Sequence, residues 1–248
     1  MKIIISPAKK MQIDTDNFAS TALPQYLSET KKIVTALKSH NYDELKSIWN
    51  CSDKLARENY DQLQRLNLET QLTPALMAFS GIQYQYMAPD LFTEPALDYV
   101  QANLKILSGF YGILRPFDGV VPYRLEMQSP LVVEGHQRLY DFWGDKLYDA
   151  LGSSAGEPII NLASQEYAKA IRPYLPPDTP FIEIVFGQLI DGKIKIRATF
   201  AKMARGEMVR YMAENDVQKA AELRKFNRLD YQFDEQRSTK ERLVFVKA

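Results

Sequence analysis

LKILSGFYGILRPFDGVVPYRLEM, residues 104–127, begins with an apolar run and then sets Gly109 and Gly112 around an aromatic pair. Glycine is used where the backbone needs a positive φ or where another chain segment comes close. Two glycines at this spacing, followed by Arg115, describe a tight corner that could hold an anion; the alternative is a plain structural corner between buried elements. The stretch contains neither GxGxxG nor GxxxxGK[ST], so it predicts no dinucleotide or P-loop site.

The composition indicates one globular chain. Its 248 residues are 46% hydrophobic and 25% charged, which suffices for a sizeable core. Lys plus Arg equals Asp plus Glu, so binding to a polyanion would need cations segregated onto one face. A single cysteine, Cys51, excludes an internal disulfide and suits a reducing cytoplasm. The N-terminal MKIII run stops at Pro7, too early for a signal peptide, and no apolar run reaches the length of a membrane span.

Apolar periodicity predicts a mixed α/β or α+β fold, with a mixed sheet and flanking helices in one compact domain over residues 1–248. Ile3–Ile5 has the β-branched character of a buried strand, and Pro158–Leu162 reads as a second one. Phe181–Ile190 and Lys193–Phe200 alternate in strand fashion around Asp191-Gly192, a dipeptide that favours a type I′ hairpin turn. Helical spacing of apolar residues predicts helices within residues 24–66, 93–104, 139–151 and 201–214.

The residue inventory gives little support to metal or nucleophilic chemistry. His40, His136 and Cys51 lack the spacing of metal ligands, and HExxH is absent, so we predict no metal site and no cofactor. Ser6 and Lys9 form Ser-x-x-Lys, the pattern of a lysine-activated serine, which opens a helix in penicillin-recognising enzymes. Here the pattern follows a strand and lacks a KTG partner, so we favour an anion contact for Lys9.

A basic helix face gives a stronger signal for ligand binding. In the helix predicted over residues 201–214, Lys202, Arg205 and Arg210 lie opposite the apolar face. Gly206 lies among them, although glycine in a helix costs about 1 kcal/mol relative to alanine. A closely approaching partner would explain this glycine, and an ordinary solvated face is the alternative. Tyrosines that could stack on bases near the cations are Tyr84, Tyr86, Tyr111, Tyr123 and Tyr167.

Several motifs, in order along the chain, resemble one family. SPAK from Ser6, ILSGFYGILRPFD from Ile106, PYRLEM from Pro122, NLASQEY from Asn161 and KMARGEMVR from Lys202 are similar to the YaaA family of bacterial peroxide stress-response proteins. The resemblance covers essentially the full length. It implies a cytoplasmic, single-domain α/β protein that helps to keep unincorporated iron low. It also implies binding of double-stranded DNA through a cationic cleft and a helix-hairpin-helix-like element.

Transferred position by position, the resemblance places that hairpin element at residues 107–113, which include Gly109, Tyr111 and Gly112. The spacing of these glycines, three residues apart, differs from the usual two in helix-hairpin-helix loops. Residues 79–84 read FSGIQY instead of the family's usual Phe-Lys-Gly-Asp-Val-Tyr, which removes one cation and one carboxylate. The cations that the resemblance implies for DNA contact are Lys9, Lys54, Arg115, Arg124, Lys169, Lys202, Arg205 and Arg210.

Two hypotheses follow. The first, which we favour, is a non-enzymatic protein that binds duplex DNA without sequence preference, through backbone N–H groups at Gly109–Gly112 and the basic side chains. The second is an enzyme with a small anionic substrate, in a pocket lined by Ser6, Lys9, Arg124, Glu126 and Tyr167. There Glu126 is the acid–base candidate, and a structural ion pair with Arg124 is its alternative role. The first hypothesis requires an open groove, and the second requires a closed pocket. The sequence does not determine the oligomeric state, and we expect a monomer.

Overall fold

Apolar β-branched segments form the centre of an eight-stranded mixed sheet in the computed structural model of the chain, which describes residues 1–247. Its strands are β1 (Lys2–Ile5), β3 (Leu104–Ser108), β4 (Gly112–Leu114), β6 (Ile159–Leu162), β7 (Phe181–Ile190), β8 (Lys193–Lys195), β9 (Tyr231–Phe233) and β10 (Arg242–Lys247). The order is β4-β3-β1-β6-β7-β10-β9, and β8 pairs with β7. A separate two-stranded sheet contains β2 (Thr73–Pro74) and β5 (Gly119–Val120). The mixed α/β prediction is confirmed.

The middle of the large sheet is parallel. Strand β1 pairs in parallel with β3 on one side and β6 on the other, and β6, β7 and β10 continue the parallel order. Ile3, Ile4 and Ile5 are fully buried, as is typical of a parallel strand covered on both faces. After β1 the chain forms β3 on one side of β1, and it later forms β6 on the other side of β1. The carboxyl ends of β1 and β6 therefore flank a topological switch point, where open α/β sheets bind ligands.

Helices occupy much of the remaining chain, and one predicted helix is divided. The predicted 139–151 helix is interrupted at Gly144, whose φ of 54° ends the first piece. None of the helices in residues 1–247 has the length and apolar character needed to span a bilayer. The helices are α1 (Leu27–Lys38), α2 (Tyr42–Trp49), α3 (Asp53–Gln64), α4 (Ala75–Ala78), α5 (Ile82–Met87), α6 (Glu94–Asn103), α7 (Leu139–Trp143), α8 (Lys146–Asp149), α9 (Gln165–Ala168) and α10 (Ala198–Glu214).

The hairpin predicted at Asp191-Gly192 is confirmed. Strands β7 and β8 pair antiparallel, with Ile190 opposite Lys193. Asp191 and Gly192 have φ of 51° and 72°, and two positive φ values are what a type I′ turn requires. The second strand is shorter than predicted, because it ends at Lys195 and helix α10 begins at Ala198.

Residues 107–113 form a β-hairpin, which corrects the predicted helix-hairpin-helix-like element. Strands β3 and β4 pair antiparallel with Ser108 opposite Gly112, so their backbone groups bond to each other across the turn instead of along helices. The Ser108 Oγ accepts hydrogen bonds from the N–H groups of Phe110 (3.1 Å) and Tyr111 (2.9 Å). These N–H groups are buried, and their acceptor is supplied by the protein itself.

The glycines of this turn are required by packing. Gly112 has φ of 75°, and a Cβ there would lie 2.7 Å from the Trp143 ring. A Cβ on Gly109 would lie 2.8 Å from the carbonyl carbon of Glu126. Gly109, Tyr111 and Gly112 are all buried, and their assignment as DNA contacts stays a prediction. The alternative of a structural corner fits the observed packing.

Candidate functional site

A cavity of about 420 Å³ lies at the carboxyl ends of β1 and β6. We call it the basic cavity. Ser6, directly after β1, accepts a hydrogen bond at Oγ from the Ser164 N–H after β6, at 2.8 Å, so the two strand ends are tied together. The lining residues are 6–10, 81–84, 123–126, Ser164, Glu166, Tyr167, and Lys202 and Arg205 of α10.

The basic cavity brings together the residues predicted for a small-substrate pocket. These residues are Ser6, Lys9, Arg124, Glu126 and Tyr167, and all of them line it. Lys202 and Arg205, predicted as DNA contacts, line the same cavity from α10. Residues far apart in sequence therefore meet at one sheet edge, as expected where parallel strands end.

The other cations predicted to contact DNA lie outside the basic cavity. The Arg115 guanidinium bonds to the buried Asp118 carboxylate, with 2.8 Å from Nε to Oδ1, and so holds the loop after β4. Arg210 Nε lies 2.7 Å from Glu214 Oε1 on the same helix. Lys54 and Lys169 are exposed, at the start of α3 and the end of α9. Of the eight predicted cations, four line the basic cavity, namely Lys9, Arg124, Lys202 and Arg205.

Three of the cations on the cavity wall, Arg124, Lys202 and Arg205, lack carboxylate partners. Among residues 1–247, no carboxylate oxygen lies within 4.0 Å of a charged nitrogen of Arg124, Lys202 or Arg205. The Nε atoms of Arg124 and Arg205 are buried and have no hydrogen-bond acceptor. Burial lowers the pKa of Arg205, yet a guanidinium stays protonated in proteins. A buried donor without an acceptor costs about 1–3 kcal/mol, so an anion in the cavity would supply what these side chains lack.

The two carboxylates of the basic cavity differ in environment. Glu126 Oε1 lies 2.5 Å from Lys9 Nζ, so its ion pair is with Lys9 and not with Arg124 as the alternative held. Glu166 is half-buried, and its Oε1 accepts a 3.3 Å hydrogen bond from the Gln128 N–H. Burial, followed by the charge of nearby Glu126, raises the pKa of Glu166. Glu166 is therefore a second acid–base candidate.

Glu166 was missing from the sequence prediction. Its position gave a usable signal, because it closely follows the strand predicted at residues 158–162 and so lies at the sheet edge where Ser6 also lies. Burial, the main cause of its raised pKa, depends on tertiary packing and leaves no sequence pattern.

Replacing Glu166 with glutamine should stabilise the protein at pH 7. A carboxyl with a raised folded-state pKa contributes stability below its unfolded pKa and loses that contribution as pH rises through the folded pKa. The Glu166→Gln variant should therefore melt above wild type at pH 7 and close to it near pH 4, by thermal unfolding. Glu58→Gln, at an exposed position of α3, should match wild type at both values. Equal melting of Glu166→Gln and wild type at pH 7 would refute the assigned environment.

Tyrosines and one amide complete the wall. The Tyr84 hydroxyl donates to the Ser6 carbonyl at 2.9 Å, and the Tyr123 hydroxyl shares a 2.7 Å hydrogen bond with Ser108 Oγ. Burial raises the pKa of both phenols, so both stay neutral. Gln83 is 7% exposed, and its Nε2 has no hydrogen-bond partner. Gln83 belongs to the FSGIQY segment, and Ile82 and Gln83, which depart from the family pattern, both line the cavity.

Gly206 allows α5 and α10 to meet. A Cβ at Gly206 would lie 2.1 Å from the Gln83 carbonyl oxygen and 2.9 Å from the Met87 nitrogen. The close partner that this glycine predicted is therefore helix α5 of the same chain. The contact fixes α5, which carries Gln83 and Tyr84, against α10, which carries Lys202 and Arg205.

Residues 1–247 contain no group of three or more His, Cys, Asp or Glu side chains arranged to hold a metal ion.

Comparison with known proteins gives consistent matches along the chain. The family model described as peroxide stress protein YaaA matches residues 1–237. A UPF0246 protein of Lactiplantibacillus plantarum is 60% identical over 246 residues, covering 99% of both chains. A UPF0246 protein of Pediococcus pentosaceus is 56% identical over 247 residues, covering 100% of this chain and 98% of its own. A UPF0246 protein of Limosilactobacillus reuteri is 55% identical over 246 residues, covering 99% and 98%.

Proposed function

We propose that this chain, which belongs to the peroxide stress protein YaaA family, binds a small anionic substrate in the basic cavity and acts on it by acid–base chemistry. The observation that carries the proposal is the set of cations without carboxylate partners on the wall of one cavity, Arg124, Lys202 and Arg205. A cavity of about 420 Å³ suits a small ligand and is far too narrow for a duplex.

The wall residues divide the task in this proposal. Arg124 and Arg205 donate to the anionic group from positions where burial strengthens electrostatic attraction. Lys202, exposed on α10, steers the anion toward the cavity. Glu166 exchanges a proton with the bound substrate. Its raised pKa lies closer to neutral pH than the pKa of an ordinary glutamate, which suits a general acid or base. Lys9 and Glu126 hold one another across the wall.

Replacing Arg205 with methionine should weaken anion binding at least about tenfold, because a hydrogen bond to a charged group contributes about 1.5–3 kcal/mol. The measurement is calorimetric titration with inorganic phosphate and with sulfate. Arg210→Met is the matched control, since Arg210 lies on the same helix, outside the cavity and paired with Glu214. Thermal unfolding of both variants separates lost binding from lost folding. Absence of phosphate and sulfate binding by wild type, or an equal loss in both variants, would rule the proposal out.

Double-stranded DNA is our second candidate ligand, because exposed lysines surround the mouth of the basic cavity. Lys9 is 65% exposed, and Lys10 and Lys202 are exposed as well. Phosphate contacts by these side chains would give a log K that falls with log[salt] by about 0.9 per contact. Titration of a labelled duplex across a salt series tests this, and no binding at low salt would eliminate the candidate.

We also propose that the chain works in the cytoplasm, as its single cysteine suggests. An effect on free iron would then follow from the chemistry of the bound substrate.

A further inference from the structure

Gln83 indicates that the ligand of the basic cavity carries a neutral acceptor as well as an anionic group. Its side chain lines the cavity, is 7% exposed, and has an Nε2 without an acceptor. The position of its backbone is fixed, because its carbonyl oxygen packs against Gly206 of α10. A buried amide donor that is left unpaired destabilises the protein. The guanidinium groups already supply donors for an anion. The neutral amide N–H of glutamine suits a neutral acceptor, such as a ring nitrogen or a carbonyl oxygen.

Three tyrosines, Tyr84, Tyr123 and Tyr167, line the cavity. The hydroxyls of Tyr84 and Tyr123 bond to Ser6 and Ser108, so the protein already uses their polar ends. Tyr123 stacks on Phe110, with ring centroids 4.6 Å apart and planes 13° apart, which fixes its plane. Tyr167 is buried on α9 and also lines the cavity. Fixed aromatic walls favour a planar ring system in the ligand.

The place and size of the basic cavity limit what such a ligand is. It lies at the switch point between β1 and β6, where open parallel sheets bind nucleotides and related ligands. Its volume of about 420 Å³ is near the lower end of the roughly 300–1,000 Å³ of ligand pockets, which leaves room for one ring system, one sugar and one phosphate.

We infer that the anionic substrate of this cavity is a nucleoside monophosphate, an inference that rests on the proposed function. The phosphate lies among Arg124, Lys202 and Arg205, and the base lies against the tyrosines. Gln83 donates to an acceptor on the edge of the base, as glutamine does when it reads adenine. An unpaired nucleotide within a strand offers the same groups, so the experiment has to separate the free nucleotide from the strand.

The experiment compares calorimetric titrations of wild type with AMP, GMP, CMP, UMP, ribose 5-phosphate, inorganic phosphate and a single-stranded tetranucleotide. At least one nucleoside monophosphate should bind about tenfold or more tightly than ribose 5-phosphate, since stacking of a base contributes about 1–3 kcal/mol. Gln83→Met should weaken binding of that nucleotide by about two- to tenfold, the contribution of one neutral hydrogen bond, and leave the affinity for ribose 5-phosphate unchanged. Gln85→Met, at an exposed position of the same helix α5, should keep the advantage.

The outcomes separate this inference from the proposed function. Equal affinity for ribose 5-phosphate and every nucleotide overturns the nucleotide inference while anion binding stands. Absence of binding by phosphate and all phosphate esters overturns both. If wild type binds the tetranucleotide more tightly than any monophosphate, and Gln83→Met loses this difference, the ligand is a nucleotide within a strand. That result overturns the inference of a free nucleotide. Thermal unfolding of Gln83→Met ensures that its binding is measured on folded protein.

Discussion

A Gly206→Ala variant is expected to unfold at a lower temperature than wild type and to bind anions more weakly. The added Cβ would lie 2.1 Å from the Gln83 carbonyl oxygen and 2.9 Å from the Met87 nitrogen. Both are backbone atoms, so no side-chain rotation relieves the contact and α5 has to move away from α10. Overpacking of this kind costs about 1–3 kcal/mol and sometimes more, which outweighs the gain of about 1 kcal/mol from alanine in a helix.

The loss of binding follows from the same displacement. Helix α5 carries Gln83 and Tyr84, and α10 carries Lys202 and Arg205, so a shift between the helices separates opposite walls of the basic cavity. Thermal unfolding and titration with inorganic phosphate measure the two effects on one sample. Thr199→Ala, exposed in the first turn of α10, gains helix propensity without a clash and should not lose stability. A Gly206→Ala variant more stable than wild type would contradict the observed helix contact.

Local sequence patterns were sufficient for the first strand and for one turn. The isoleucines of β1 predicted a buried strand, because a continuous β-branched run suits a parallel strand covered on both faces. Asp191-Gly192 predicted its hairpin, because few residues tolerate two successive positive φ values. In both cases the cause lies within a few residues of chain, which is why the sequence reveals it.

The candidate site was predictable only in part, because its electrostatics depend on packing. Lys202, Arg205 and Arg210 share one predicted helix face, yet Arg205 lines the cavity, whereas Arg210 is paired with Glu214 outside it. The partner of Gly206 is helix α5, more than a hundred residues earlier in the chain, and a glycine alone does not identify it. Helical spacing predicts on which face of the helix a residue lies. The residues that it contacts on other elements depend on the tertiary fold.

The pair Gly109 and Gly112 is the clearest example of that limit. Glycines between apolar residues occur in helical hairpins and in β-turns, because both use glycine for close backbone approach, and the three-residue spacing here already departed from the usual helical hairpin. Strand pairing determines that this segment forms a β-turn, since β3 pairs in parallel with β1 and β4 then pairs antiparallel with β3. Gly112 therefore allows Trp143 to pack under the turn, and Gly109 allows the backbone of Glu126 and Met127 to approach it.

A Gly112→Ala variant should lose about 2–5 kcal/mol of unfolding free energy, a large share of the roughly 5–15 kcal/mol of a typical domain. Gly112 has φ of 75°, a left-handed conformation that costs another residue about 1–2 kcal/mol. Its Cβ would also lie 2.7 Å from the ring of Trp143, which is buried and donates from Nε1 to the Gly109 carbonyl at 3.0 Å. The ring cannot withdraw without breaking that bond, so overpacking adds about 1–3 kcal/mol.

Gly192→Ala separates these two contributions, because Gly192 has nearly the same φ, 72°, with no atom within 4 Å of an added Cβ. Chemical denaturation should therefore show a smaller loss for Gly192→Ala, close to the conformational cost alone. Equal losses would mean that Trp143 does not constrain position 112. If Gly112→Ala instead kept full stability and lost affinity for duplex DNA, the turn would be a phosphate contact after all. Its burial beneath Trp143 and Leu147 argues that stability, and not DNA affinity, is what this glycine determines.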